Sequence, residues 1–223
     1  MKTWIDRLFG GKDKPVAQPF PGAATDDGYN PIEELRNHIR REVATGFTDE
    51  DVILTEAADI LGEDIDPALI QREAPALLRE LLAEHAAAEA TWPEMTDCDR
   101  LDAAFAALEA DGVIARQNFS CCGTCGSTEI WDEVQAAANA GQPARGYAFY
   151  HVQDTESAVE GHGIYLGYGS CDEGEEAAVA VGHDIVAQLE AHGLRANWDG
   201  SLRHRIGVPL DWKKRRRVNR LAS

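Results

Sequence analysis

From Val113 onward the chain alternates short branched or aromatic runs with helical stretches that end on glycine, and that order leaves few architectures open. Val113 to Phe119 sets Val113, Ala115, Gln117 and Phe119 against Ile114, Arg116 and Asn118, the pattern of a strand with one wet face. Thr128 to Ala140 carries Ile130, Trp131, Val134 and Ala138 at helical spacing, and Gly141 stops it. Arg145 to Val152 and Gly163 to Tyr168 read as aromatic, branched strands joined by a loop. Glu175 to His192 is a helix with Val181, Ile185 and Leu189 inward, acids at its start and Gly193 at its end. Leu194 to Trp198 and Leu202 to Val208 flank Asp199-Gly200, a pair that closes tight hairpins. Strand, helix, strand, strand, helix, strand predicts an α+β fold: a ferredoxin-like split β-α-β sandwich with an antiparallel sheet, helices on one face and one extra C-terminal strand.

The preceding region, 31–95, predicts a helical layer. Pro31 stands at a first helical position, with Ile32, Leu35, Ile39 and Val43 on one face and Gly46 as the stop. Thr48 is a candidate cap for a second helix with Val52, Ile53, Ala57, Ile60 and Leu61 inward. Asp66-Pro67 starts a third, which Pro75 is expected to kink or restart before Leu77, Leu78, Leu81 and Leu82. Thr96 and Asp99 form a capping box ahead of Leu101, Ala104, Phe105 and Leu108, opening the α+β unit over 96–211.

At the N-terminus, 1–30, Trp4, Ile5, Leu8 and Phe9 form a short amphipathic turn followed by a Gly- and Pro-containing linker. So short a helix needs apolar cover, which makes it a candidate docking peptide for a protein partner or a membrane surface, against the plainer reading of a segment that packs on its own domain or frays. The C-terminal stretch 212–223 concentrates Lys213, Lys214, Arg215, Arg216, Arg217 and Arg220. The rest is therefore more acidic than the formal charge of −18 states, which argues against general affinity for nucleic acid or anionic membranes except through that basic tail. Attraction to the acidic body draws the tail back, but a solvated terminus is the expectation. An acidic surface favours basic partners. No apolar run approaches the roughly 20 residues of a membrane span, no secretion signal is visible, and five cysteines are too few and too odd for a disulfide scaffold, which predicts a cytoplasmic protein.

The most distinctive stretch is Phe119-Ser120-Cys121-Cys122-Gly123-Thr124-Cys125-Gly126, between a predicted strand and a predicted helix. Helix N-termini favour thiolates, and Cys122 with Cys125 has the spacing for a reversible disulfide or half a zinc site. A full zinc site needs further ligands, for which His151, His162 and Cys171 are the candidates. Asp154 and Glu156, beside His151, are candidates for a polar cleft able to move protons. Against these stands the plainer reading of small buried cysteines beneath a glycine-shaped turn, with Asp154, Thr155 and Glu156 starting a helical turn and His151 only hydrogen-bonding a loop. No dinucleotide fingerprint, Walker loop, nucleophile elbow or His-Glu-x-x-His motif is present.

Leu101-Asp102-Ala103-Ala104-Phe105, the cysteine stretch, Gly146-Tyr147-Ala148-Phe149-Tyr150-His151, Asn197-Trp198-Asp199-Gly200 and Asp211-Trp212 together resemble a bacterial family known as a domain of unknown function, over roughly Asp97 to Arg217. The resemblance implies no assigned activity. The residues therefore predict a non-catalytic binding or regulatory module, with a zinc-binding or thiol-redox protein built on Cys121, Cys122 and Cys125 as the alternative.

Overall fold

Alternating patterns predict elements more readily than their neighbours, and the sheet is where expectation and structure part. A computed structural model describes residues 29–216. The chain divides into Met1–Asn30 and Pro31–Ser223. The docking residues Trp4, Ile5, Leu8 and Phe9, and tail residues 217–223, lie outside the described part.

Three helices come first: α1 (Pro31–Thr45), α2 (Glu50–Leu61) and α3 (Pro67–Glu89). They share one core of Leu35, Ile39, Val43, Ile53, Ala57, Ile70, Leu77 and Leu78. Asp66 caps α3 by accepting the Ala68 N–H, as its position before proline predicts. The helix does not restart at Pro75, because that residue is exposed and water can reach the carbonyl its missing N–H leaves free. Ile32, Val52 and Ile60 point outward instead of inward; in α2 the buried stripe is Ile53, Ala57 and Leu61, four residues apart, and its flanks stay wet.

The second half holds α4 (Asp97–Ala110), β1 (Val113–Arg116), α5 (Gly123–Asn139), β2 (Gly146–Phe149), α6 (Val152–Val159), β3 (Ile164–Ser170), α7 (Glu175–Ala191) and β4 (Ile206–Val208). The Thr96–Asp99 capping box forms in full. The chain is thus mixed α and β, with seven helices and a four-stranded mixed sheet among the described residues.

The sheet order is β1-β2-β3-β4, with β1 parallel to β2 and the remaining neighbours antiparallel. This replaces the expected antiparallel sheet and leaves no split unit: Val113 pairs Gly146 directly, with no strand between them. The helices also occupy both faces rather than one. Val113, Ala115, Ala148 and Leu166 pack with Leu101, Phe105, Ile185 and Leu189 of α4 and α7, whereas Ile114, Phe149 and Tyr147 pack with Ile130 and Val134 of α5. Alternation along β1 and β2 makes this division, and burying Ile130 completely contributes about 1.5–3 kcal/mol to holding α5 in place. Leu194 to Trp198 forms only a bridge between Asn197 and Gly207, so the expected tight hairpin at Asp199-Gly200 is a wide loop.

The described part of the basic tail is not a solvated terminus. The Trp212 indole N–H donates to the Ala44 carbonyl at 3.0 Å, and its ring tilts against Phe47 and meets Tyr150 edge-on. Lys214 pairs with Asp102 at 2.6 Å, Arg215 with Asp99, and Arg216 donates to the carbonyls of Val43 and Thr48. An aromatic anchor inside the basic run, with acids waiting beneath it, overrides the tendency of charged termini to stay in water.

Candidate functional site

Beyond β1 the chain must reverse and enter α5, and it does so through a strained, tightly held turn. Asn118 and Ser120 adopt positive φ of 50° and 62°, a conformation that costs side-chain-bearing residues energy and persists only when surroundings enforce it. The enforcement is visible: the Phe119 N–H donates to the Tyr150 carbonyl at 2.8 Å, the Val152 N–H to the Ser120 carbonyl at 3.1 Å, and the Thr155 hydroxyl to Asn118 Oδ1 at 2.7 Å. Backbone pairing thus extends past the ends of β1 and β2 and delivers Cys121 to Cys125 to the start of α5. The helix begins earlier than Thr128, where periodicity alone places it, with Cys122 as N-cap. Gly126 explains how it sits so close to the sheet: a Cβ there would stand 2.5 Å from Cε2 of Phe149.

The sulfurs of Cys121, Cys122 and Cys125 all lie within 4.8 Å of one another. Cys121 is exposed and the other two half-buried. The amides of Cys125 and Thr124 at the helix start hold the Cys122 thiol below its ordinary value, while the neighbouring Cys121 and Cys122 thiols push Cys125 up to about 11. Three thiols this close cannot ionise together without a counter-charge.

The other proposed ligands are placed elsewhere. Among the described residues no His, Asp or Glu joins the three sulfurs. His151 is the N-cap of α6, which takes in the helical turn of the plainer reading at Asp154 to Glu156 and starts before it, at Val152. Its Nδ1 accepts the Asp154 N–H at 3.3 Å, which leaves the proton of the neutral ring on Nε2, 3.1 Å from Asp154 Oδ2. Burial lowers the imidazole's pKa, Asp154 opposes that shift and Arg205 reinforces it. His151 Nε2 does border the cysteine turn: a Cβ on Gly123 would meet it at 3.5 Å.

Asp154 is buried, accepts the His151 N–H and pairs with Arg205 NH2 at 2.5 Å, whereas Glu156 faces Arg41 at 3.9 Å. The two carboxylates therefore do not share a cleft. His162 is exposed past the end of α6, and Cys171, whose thiol burial pushes up, follows β3. Cys98 is a core residue, pushed up to about 12 by burial, with its sulfur accepting the Lys213 N–H.

A concavity of about 780 Å³ opens beside the thiols. Cys122, Thr124, Ser127 and Thr128 of the first turns of α5 form one wall, Tyr147, Phe149 and Tyr168 the floor, and the loop Leu202 to Arg205 the other wall. Sequence patterns do not reveal these lining residues as a group. The signal they offer is two arginines, Arg203 and Arg205, close together after the Asp199-Gly200 turn in an acidic chain.

No described helix is long and apolar enough to cross a membrane. No curated protein and no solved structure matches the chain. A family model does match, over residues 29–216, which takes in the three N-terminal helices as well as the cysteine turn and begins well before Asp97, where the likeness legible in the residues starts. Covering most of the chain, that match makes it a member of the family described as domain of unknown function DUF6891.

Proposed function

We propose that the chain is a binding module whose working part is a thiolate site for a soft divalent metal, zinc first among them, at Cys121, Cys122 and Cys125. The observation that carries this is the convergence of three sulfurs within 4.8 Å. Thiolates bonded to one tetrahedral zinc at about 2.3 Å lie about 3.8 Å from each other, so less than about 1 Å of closure completes the set. A cation among them removes the repulsion that raises Cys125 and makes full ionisation favourable. Three protein ligands leave a fourth position open for water or a ligand.

The competing chemistry is a Cys122–Cys125 disulfide, favoured by a lowered Cys122 at a helix start. It leaves the third sulfur without a role, whereas metal binding uses all three. The test is cobalt(II) titration of the fully reduced protein. Thiolate-to-cobalt charge-transfer absorption saturating at one ion per chain is expected, weakened by each of Cys121→Ser, Cys122→Ser and Cys125→Ser and unchanged by Cys171→Ser. Absence of the band, or indifference to those three substitutions, overturns the assignment.

A further inference from the structure

The concavity beside the thiols differs in charge from the rest of the molecule. The chain has 39 acidic against 21 basic residues, yet among the described residues no Asp or Glu lines this cleft. Both of its arginines come from the loop before β4, and they are not equivalent. Arg205 is committed, paired with buried Asp154 and hydrogen-bonded to the Tyr165 carbonyl. Arg203 makes no ion pair and no hydrogen bond to any described residue, and it lines the cleft. An unpaired guanidinium in an otherwise acidic protein is the strongest local attractor for an anion.

The surroundings fit more than a bare ion. Tyr147, on the face of the sheet that α5 covers, supplies flat apolar area on the floor. The Tyr168 hydroxyl, on the other face of the sheet, donates to the Ser201 carbonyl at 3.0 Å, which ties the Arg203 loop to β3. Opposite Arg203, the Thr124 side lies in the first turn of α5, where the helix dipole adds to the attraction for negative charge.

We infer that this cleft binds a small aromatic oxyanion, its carboxylate or phosphate against Arg203 and its ring over Tyr147. The site does not depend on a metal at the thiols, although a bound ligand would lie beside Cys122.

Calorimetric titration of the full chain with four probes tests it: benzoate, phenyl phosphate, inorganic phosphate and benzyl alcohol. At least one of the first two should bind about tenfold or more tighter than either of the last two, because each of those lacks the ring or the charge. Whichever of the two binds tighter identifies the group Arg203 accepts. Arg203→Glu should weaken aryl oxyanion binding by about tenfold or more, and Arg203→Lys by less, since a point charge keeps the attraction but loses the fork. Both variants should melt as the parent does, because the side chain is exposed and unpartnered. Cobalt titration of Arg203→Glu should be unchanged, which separates this site from the thiol site. Aryl oxyanions binding no better than benzyl alcohol, or an affinity indifferent to Arg203→Glu, overturns the inference.

Discussion

Replacing Trp212 with alanine tests whether the C-terminal segment is structural. The indole is half-buried against Phe47 and Tyr150. Returning about 100 Å² of apolar surface to water, at about 25 cal/mol per Å², costs about 2.5 kcal/mol. The indole N–H bond to the Ala44 carbonyl adds about 1 kcal/mol. Compactness of the unfolded chain trims the sum to about 3 kcal/mol.

The ion pairs around it are weaker. Lys214 with Asp102 is partly exposed at 14% and 34%, so Lys214→Gln should cost about 1 kcal/mol, including its position over the Phe47 ring. Urea unfolding followed by circular dichroism reads both variants. Trp212→Ala should lower stability by about 3 kcal/mol and Trp212→Phe by roughly half that. If Trp212→Ala costs less than about 0.5 kcal/mol while Lys214→Gln costs more, charge rather than the indole holds the segment and the reasoning fails.

Three further outcomes are expected. Iodoacetamide at mildly alkaline pH should label Cys122 ahead of Cys125, whose thiol sits at about 11, and should reach Cys98, at about 12 and buried, only after unfolding; mass mapping showing Cys98 modified as fast as Cys122 contradicts this. Gly126→Ala gains about 1 kcal/mol of helix propensity but drives a Cβ to 2.5 Å from a Phe149 ring already hemmed in by Gly167, and overpacking of about 1–3 kcal/mol should win, so a urea midpoint above that of the parent counts against the seating of α5. Burial lowers the His38 pKa and its Nε2 lacks a described partner, so the folded state prefers the neutral ring; stability present above the ordinary histidine value of about 6.5 is lost as pH falls toward the lowered folded value. His38→Gln should flatten part of the melting-temperature loss between about pH 7 and 5, and superimposable profiles for the two proteins oppose that assignment.

Local rules were legible wherever a few neighbouring residues decide the outcome. Pro31, Asp66-Pro67 and the Thr96–Asp99 box each start a helix, because capping is a matter of three or four residues. The cysteine turn between a strand and a helix was readable for the same reason. α6 was legible only as a helical turn at Asp154 to Glu156; its true start was hidden because its cap is a histidine, an uncommon N-cap, and its length because eight residues show little periodicity. Sheet order was hidden because alternation along β1 and β2 states which side chains share a face, not which strand lies alongside. The six basic residues after Asp211 masked the structural part of Trp212, whose indole packs on Phe47 and Tyr150. Convergence of Thr124, Tyr168 and Arg203 on one cleft depends on three segments far apart in the chain, and no local pattern encodes it.

Intact-mass measurement under non-denaturing conditions, on protein purified without chelator and under reducing conditions, addresses the thiol site most directly. One thiophilic metal per chain is expected, absent from a variant carrying Cys121→Ser, Cys122→Ser and Cys125→Ser together. A metal-free parent chain that takes up no zinc when supplied and instead shows the mass of a Cys122–Cys125 disulfide on air exposure would contradict the account.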